Sequence, residues 1–431
     1  MEAIKKCQNF YIESLGCSKN LVDSEKIAAI FTQNNYKIVD NPSKAEIIVI
    51  NTCGFIQPAK EESINTILQM LEYKEIGNCK YIIVIGCLVQ RYEAKLKKSL
   101  PDVDYFFNLK NFKNINNLLN SHINIPTIKR YLLTPSHYAY LRISDGCDNN
   151  CSYCAIPNIR GRLRSEPIPE LINETSQLVK NGVKELIIIA QDTGNYGVDL
   201  YGKSKLCELL SELDKIDNLF RIRLMYLHPK HISEKLLKLI ANSKKICKYL
   251  DVPIQHINDR ILKMMNRKIS KNEIKKKLNL IKEIIPEAAL RTTILVGFPG
   301  ETDEEFQELL EFVKIQKFSK LGCFSYCKEE GTKAEKFKSQ IPKSIKNRRL
   351  RTIMKTQQKI SKQILEKFIG NKLTVFVDNK VEDSVFECRT EFDAPEIDGL
   401  VYLHDADVNV GEIVEVEITD GLEYDLTAIL I

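Results

Sequence analysis

Residues 144–154 read Ser-Asp-Gly-Cys-Asp-Asn-Asn-Cys-Ser-Tyr-Cys and carry three cysteines in a C-x3-C-x2-C spacing. Three thiolates at this spacing are able to hold three of the four irons of a 4Fe–4S cluster. Because no fourth cysteine follows closely, the remaining iron would be open to a small-molecule ligand. A structural zinc site is the alternative, but zinc takes four protein ligands and no histidine follows closely. The stretch predicts a half-open cluster site formed by Cys147, Cys151 and Cys154.

The residues around this stretch alternate between strand and helix patterns. Helices are predicted between six short apolar strands, which fall at residues 138–143, 185–190, 221–226, 249–254, 291–296 and 322–326. Six β/α units form an open or partial barrel rather than the closed eight-unit barrel. The cysteine loop follows the first strand, at the carboxyl end where such barrels carry their active sites.

A separate alternating series occupies the first part of the chain. Apolar strands at residues 9–16, 46–51 and 80–86 are separated by helices, which predicts a parallel sheet. Cys17, Cys53 and Cys87 each follow directly on one of these strands. The carboxyl ends of parallel strands share one edge, so the three thiols should meet there. Simple burial is the alternative, but three such cysteines in succession favour a second cluster site.

The last part of the chain changes its hydrophobic period from 3.6 to two. Several short alternating strands after Gly370 predict a small all-β barrel or sandwich. We therefore predict an α/β protein with three domains: a parallel-sheet cluster domain at residues 1–120, a partial (β/α)6 barrel at 133–368 and an all-β domain at 370–431. Residues 121–135 are expected to form a linker.

The net charge of +6 conceals two opposite parts. Residues 370–431 hold three Lys or Arg against sixteen Asp or Glu, a formal charge of −13, which leaves +19 on the rest. A terminal domain this acidic would repel phosphates but suits a basic protein partner. A generic solubilising surface is the alternative. The amino terminus carries no signal-like apolar stretch, so we expect a cytoplasmic protein with reduced thiols and no membrane partner.

The cysteine loop and the six β/α units together resemble the radical S-adenosylmethionine (SAM) enzymes. The resemblance implies that SAM chelates the open iron and is cleaved to a 5′-deoxyadenosyl radical, which abstracts hydrogen from an unactivated carbon. It also implies that Tyr153 packs near the adenine and that Gly297 and Pro299 belong to the backbone segment that receives the nucleoside. Gln191, at the second strand end, is a candidate to orient SAM or substrate. No protein general base is assigned.

Two half-open cluster sites followed by a β-rich tail resemble the methylthiotransferase family over nearly the whole chain. The family order is an N-terminal cluster domain, a radical SAM core and a TRAM domain, with two 4Fe–4S clusters and SAM as cofactors. Three segments are similar to the RimO type of this family: residues 14–25, although Pro more often stands at the place of Ser18, residues 156–161, and Asp-Ala-Pro-Glu-Ile-Asp-Gly at 393–399.

The RimO resemblance implies methylthiolation of the β-carbon of one aspartate in small-subunit ribosomal protein S-twelve, either free or within the subunit. An electron-donor protein and a sulfur source would also be needed. A transfer RNA adenosine methylthiotransferase and a non-catalytic, metal-stabilised ribosome-assembly scaffold are the alternatives. Seven cysteines receive no role: Cys7, Cys79, Cys207, Cys247, Cys323, Cys327 and Cys388.

Overall fold

The computed structural model describes residues 4, 7–111, 114–119 and 130–431. Its first unit consists of β1 Asn9–Ser14, α1 Ser18–Gln33, β2 Lys37–Ile38, β3 Ile47–Thr52, α2 Gln57–Leu71, α3 Tyr73–Ile76, β4 Tyr81–Gly86, α4 Cys87–Ser99, β5 Tyr105–Phe107 and α5 Ile115–Leu118. The five strands form one sheet in the order β2-β1-β3-β4-β5, and each neighbouring pair is parallel.

The central strand β3 is apolar over residues 47–50 because both of its faces are covered. Ile47 and Val49 pack into the core on one face of the sheet, while Ile48 and Ile50 pack into the core on the other. Successive side chains of a strand point to opposite faces, so a strand covered on both sides reads as a continuous apolar run. The predicted parallel sheet is confirmed.

The second unit follows the same strand–helix alternation. It consists of β6 Tyr138–Arg142, β7 Ser144–Asp145, α6 Ile156–Arg160, β8 Arg164–Ser165, α7 Ile168–Lys180, β9 Glu185–Ile189, α8 Val198–Tyr201, α9 Leu206–Asp214, β10 Arg221–Leu224, α10 Glu234–Asn242, β11 Tyr249–Asp251, α11 Asp259–Met264, α12 Lys271–Ile284, β12 Ala289–Val296, α13 Asp303–Gln316, β13 Lys320–Ser325 and α14 Lys343–Leu365.

Six of these strands form the predicted partial barrel. β6, β9 and β10 pair in parallel, as do β11, β12 and β13, and a parallel bridge from Ile222 to Ile246 joins the two groups. Along β9, Leu186 and Ile188 pack outward against the helices, whereas Ile187 and Ile189 belong to an inner core. This alternation places a helix layer outside the strands and leaves their carboxyl ends for the cysteine loop.

The third unit is a closed five-stranded barrel, which confirms the predicted all-β domain. Its strands are β14 Lys372–Glu382, β15 Val385–Arg389, β16 Val401–His404, β17 Ile413–Gly421 and β18 Leu426–Leu430. The loop at residues 393–399 lies against the amino ends of the larger barrel's strands. Asp393 is 2.6 Å from Lys320, and Asp398 accepts a hydrogen bond of 2.7 Å from Tyr249. These two acids are therefore bound within the molecule.

Residues 121–129 of the expected linker lie outside the described residues. Where the description resumes, Arg130 is buried, with an ion pair to Glu25 of α1 and a second, at 2.8 Å, to Glu174 of α7. These two ion pairs hold Arg130 of the expected linker between the first two units. Over the described part of the chain, no helix has the length and apolar character needed to cross a membrane.

Candidate metal centres

Cys17, Cys53 and Cys87 come together at the carboxyl edge of the N-terminal sheet. Cys17 lies between β1 and α1, Cys53 follows β3, and Cys87 begins α4 directly after β4. Gly16 has a φ of +91°, and a Cβ there would lie 2.8 Å from the Cβ of Cys53. Only glycine combines this φ with so close an approach.

These three thiols differ in exposure. Cys17 is exposed, whereas Cys53 and Cys87 are 8% and 6% exposed. Burial raises the pKa of the Cys87 thiol to about 12, with smaller contributions from Cys17 and Cys53. Burial likewise raises the pKa of Cys53. Cluster ligands are thiolates, so metal binding at these two thiols would release protons.

Cys147, Cys151 and Cys154 share the loop between β7 and α6. Its turn at Gly146 has a φ of +72°, and a Cβ there would lie 2.0 Å from the carbonyl oxygen of Arg162. Burial raises the pKa of Cys147 to about 11 and that of Cys154 to about 12. Negative charge on Cys151 raises both values further. The loop therefore gathers three thiols on one tightly turned segment, as the spacing predicts.

Each triad offers the donor set of a half-open 4Fe–4S cluster, in which three thiolates bind three different irons. Across the described residues, none of the thirteen cysteines forms a disulfide, so the six thiols of the triads remain available as ligands. Over the same residues, no three His, Cys, Asp or Glu side chains form a site for one metal ion.

Arg160 connects the two triads. Arg160 is the last residue of α6, in the same unit as the second triad, and its side chain is only 2% exposed. One terminal nitrogen donates to Asn20 at 2.7 Å and lies 3.6 Å from the Cys87 sulfur. The other lies 3.2 Å from both carboxylate oxygens of Asp145. The carboxyl ends of the two parallel sheets are therefore joined through one buried guanidinium group.

Comparison with protein families divides the chain into the same three units. Residues 9–108 match the uncharacterized protein family UPF0004, residues 141–313 match the radical SAM superfamily, and residues 369–431 match the TRAM domain. The ribosomal protein uS12 methylthiotransferase RimO of Clostridioides difficile (strain 630) is 46% identical over 96% of this chain and 97% of its own length. The protein of the same name from Thermoanaerobacter sp. (strain X514) is 45% identical over 97% of this chain and 99% of its own.

The chain belongs to the RimO family of radical SAM methylthiotransferases. Two solved structures with a fold similar to that of this RimO-family chain are more distant in sequence. The radical SAM methyltransferase TsrM from Kitasatospora setae superposes with a TM-score of 0.54 at 12% identity, over 74% of this chain and 75% of that one. The radical SAM enzyme OxsB gives a TM-score of 0.50 at 11% identity, over 81% and 56%. These likenesses show the shared fold.

In this RimO-family chain, Tyr153 and Gln191 lie beside the second triad. Tyr153 packs among apolar residues that include Phe298, and burial together with the charge on Cys151 raises its pKa. Gln191 donates to Asp145 at 3.1 Å, while its own carbonyl oxygen is buried without a partner. Gln191 thus offers an unused acceptor next to the cysteine loop, which suits its expected role.

Gly297 and Pro299 are buried in the turn after β12. The carboxylate of Glu301 accepts hydrogen bonds from the backbone N–H groups of both Gly297 and Phe298. These two donors are therefore occupied within the turn. Gly297 itself is required there, because its φ is +70° and a Cβ would lie 2.4 Å from the Lys346 side chain.

Several buried polar atoms at the carboxyl ends of the barrel strands have no partner in the described structure. They belong to strand ends or to the loops that follow them, and they are Ser144 Oγ, Gln191 Oε1 and Ser325 Oγ. Unpaired buried polar atoms are costly in a folded protein. Their concentration on one side of the barrel fits a polar ligand of the size and chemistry of SAM.

Asp192, Asn149 and Arg267 contact the second triad or its loop. Asp192, in the segment after β9, accepts a hydrogen bond of 2.7 Å from Asn149 within the cysteine loop. Arg267 lies 3.6 Å from the Cys151 sulfur and donates to the carbonyl of Pro253 at 2.5 Å. The position of Asp192 after an apolar strand marks it in the sequence as a candidate, whereas no sequence signal indicated Asn149 or Arg267.

A second buried group fastens the first unit to the barrel. Glu329 is 2% exposed, lies 2.9 Å from Lys60 and 3.4 Å from Arg91, and accepts from the backbone N–H of Gln57 at 2.6 Å. Cys327 donates to the same carboxylate at 3.3 Å. These contacts close the seam between the units next to Cys53 and Cys87, which limits the access of water.

Proposed function

We propose that this chain is a methylthiotransferase that replaces one hydrogen on the β-carbon of an aspartate in ribosomal protein uS12 by a methylthio group. The observation that carries the proposal is the presence of two three-thiol sites at the carboxyl edges of two adjoining parallel sheets. A β-C–H bond of aspartate is not acidic enough for general-base chemistry, so a radical route suits this substrate.

We assign Cys147, Cys151 and Cys154 as ligands of one 4Fe–4S cluster and Cys17, Cys53 and Cys87 as ligands of a second. When bound, the clusters and SAM supply the electron, the radical, the sulfur and the methyl group that the side chains of this protein cannot provide. Each triad leaves one iron without a protein ligand. That open coordination position is what allows a small molecule to bind directly to the cluster.

The chain's own residues position these groups and exclude water. Arg267 places a positive charge beside Cys151, and Asn149 fastens the cysteine loop to Asp192. Tyr153, Gln191, Gly297 and Pro299 are proposed to line the SAM site. The unpaired oxygen of Gln191 supplies an acceptor there, whereas the turn at Gly297 contributes shape because its N–H is used by Glu301.

The acidic terminal barrel is proposed to hold the basic ribosomal protein. Eight of its acids are exposed, against two exposed bases, Lys372 and Lys380. The exposed acids are Glu382, Asp383, Glu396, Asp405, Asp407, Glu415, Asp420 and Glu423. Complementary charge would speed encounter with a basic protein and disfavour nucleic acid. An electron-donor protein and a sulfur source complete the reaction, and a ribosomal substrate implies a cytoplasmic location.

We also propose domain boundaries at residues 1–120, 133–368 and 370–431. Each of the three β-sheet systems lies wholly within one of these ranges. Limited proteolysis followed by mass analysis would test the boundaries. Cleavage that preserves fragments ending near residues 120 and 370 is expected, whereas early cleavage inside a strand of one sheet would contradict the division.

Mass spectrometry of the substrate tests the function directly. Anaerobically reconstituted enzyme, SAM, a reductant and sulfide are incubated with purified uS12 or with transfer RNA, and each product is digested and analysed. We expect one aspartate of uS12 to gain the mass of a methylthio group less one hydrogen. The same gain on a transfer RNA adenosine, with unchanged uS12, would refute the proposal. A Cys147→Ala, Cys151→Ala, Cys154→Ala variant should neither cleave SAM nor modify uS12.

The other triad gives the matched control. A variant with Cys17→Ala, Cys53→Ala and Cys87→Ala should still cleave SAM yet leave the substrate without added sulfur. We propose that the cluster of the first triad serves sulfur delivery, and modification of uS12 by this variant would contradict that role. Zinc without labile sulfide in the anaerobically purified protein would instead support the non-catalytic scaffold.

A further inference from the structure

Arg160 is the one side chain of the described residues for which a hydrogen-bond contact to a cysteine of the first triad and an ion pair to the loop of the second are both observed. Its contact with Cys87, at 3.6 Å, crosses from the barrel unit to the N-terminal sheet. Its contact with Asp145 lies two positions before Cys147 in the sequence. One rigid fork of donors therefore reaches a cysteine of the first triad and a residue next to the loop of the second.

The charges around Arg160 are arranged so that it stays positive. Arg160 forms ion pairs with Asp23 and with Asp145, and an arginine guanidinium group is not deprotonated in proteins. Asp23 is itself shared, because one carboxylate oxygen is 3.0 Å from Arg160 and the other is 2.6 Å from Arg142. The positive charge beside Cys87 is thus fixed by acids contributed from both units.

We propose that Arg160 is a positioning residue that raises the reduction potential of the cluster held by Cys17, Cys53 and Cys87 and aligns that cluster with the second triad. The inference rests on the proposed function, since it takes these cysteines as cluster ligands. A cation and a hydrogen bond beside a ligand sulfur stabilise the more negative, reduced form of a cluster. The effect is strong at this site because the surroundings are buried and poorly screened.

Arg142 provides a matched control. It carries the same charge and binds the same Asp23, and it also donates to the carbonyl of Lys19 at 3.2 Å. Among the described residues, its hydrogen bonds go to Asp23 and Lys19 and none goes to a cysteine. Loss of Arg142 should therefore weaken the joint between the units, as loss of Arg160 does, while changing the potential of the first cluster much less.

The experiment measures the midpoint potential of the first cluster alone. Full-length protein carrying Cys147→Ala, Cys151→Ala and Cys154→Ala is reconstituted, and the remaining cluster is titrated electrochemically with detection by electron paramagnetic resonance. Arg160→Gln, Arg160→Lys and Arg142→Gln are compared in this background, with iron and sulfide content measured for each. We expect the potential to shift most to the negative side in Arg160→Gln and less in Arg160→Lys, which keeps a charge but not the fork.

The possible outcomes separate the two proposals. Equal potentials in Arg160→Gln and its parent, or equal shifts in Arg160→Gln and Arg142→Gln, would overturn the role of Arg160 and leave the cluster assignment intact. If the parent itself held no cluster, the proposed function would fail and this inference with it. If Arg160→Gln did not fold, Arg160→Lys must still show a potential below that of the parent, and an unchanged value would overturn the role.

Discussion

Arg389 of β15 and Glu185 of β9 form an ion pair of 2.9 Å in which both side chains are at most 1% exposed. Glu185 forms a second ion pair, with Arg223 at 2.9 Å, and Arg389 forms a second ion pair with Asp378. The terminal barrel is therefore joined to the larger barrel through a buried network of charges. Breaking a buried pair from one side leaves a charge without its partner.

Replacement of Arg389 should destabilise the protein strongly. We expect Arg389→Met to lower the free energy of unfolding by about 3–5 kcal/mol, because Glu185 and Asp378 lose a buried partner. Urea-induced unfolding followed by circular dichroism measures the change. The control is Lys380→Met, which removes an exposed cation of the same small barrel whose ion pair with Asp383 is exposed. Equal effects of the two substitutions would contradict this reading of the interface.

The same network predicts loss of stability in acid. Burial raises the pKa of Glu185, but the charges of Arg389 and Arg223 outweigh it and hold the pKa at about 2, below the ordinary 4.5. A carboxyl group with a lowered folded-state pKa stabilises the protein above its unfolded-state pKa and loses that contribution as pH falls toward its folded-state pKa. The free energy of unfolding should therefore fall between about pH 4.5 and pH 2. The free energy of unfolding should fall less steeply in Glu185→Gln than in the unaltered protein. Identical pH profiles of that free energy for the two proteins would refute the assignment of the fall to Glu185.

Gly16 should be needed for the first cluster and not for the second. In Gly16→Ala the new methyl group would meet Cys53, so we expect iron content to fall from about eight to about four per chain with SAM cleavage retained. Gly182→Ala is the matched control, because Gly182 has a similar φ of +101° but nothing within 4 Å of the added Cβ. Iron and labile sulfide analysis gives the result. Full iron loading of Gly16→Ala would show that the close approach of residue 16 to Cys53 tolerates a side chain.

The charge of the terminal barrel should control affinity for a basic protein. Glu415→Lys with Asp420→Lys reverses two exposed acids on β17, and we expect affinity for uS12 to fall by about tenfold or more at low salt, with a weaker dependence on salt. Glu283→Lys with Glu287→Lys makes the same change in net charge on exposed positions of the larger barrel. Titration calorimetry compares the two variants. Equal losses would mean that total charge matters and the terminal barrel does not.

The sequence predicted the sheets and the meeting of the cysteines because both depend on local pattern and on strand direction. Cys17, Cys53 and Cys87 each end an apolar strand, and parallel strands end at one edge. The contacts of Arg160 with Cys87 and Asp23 were not predicted, since they depend on how two units dock. That docking is decided by buried side chains of both units rather than by the periodicity of either one.

The acids of the terminal barrel show the same difference between what the sequence predicts and what depends on docking. Their number was evident from the sequence, but Asp393 and Asp398 form bonds to the larger barrel, whereas Glu415 and Asp420 remain exposed. Net charge alone could not separate these two groups, because both lie on short segments between or within β strands. The structure thus narrows the acidic surface open to a partner to the exposed acids.

Cys87 and its guanidinium partner Arg160 are 73 positions apart in the chain. During synthesis the amino-terminal sheet leaves the ribosome before Arg160 does. Its three cysteines are then present, but the positive charge beside Cys87 is not. The surroundings of Cys87 are finished only after the following unit has emerged and docked. Maturation of the first centre is thereby tied to the folding of its neighbour, so an unfinished chain would carry an incomplete metal site.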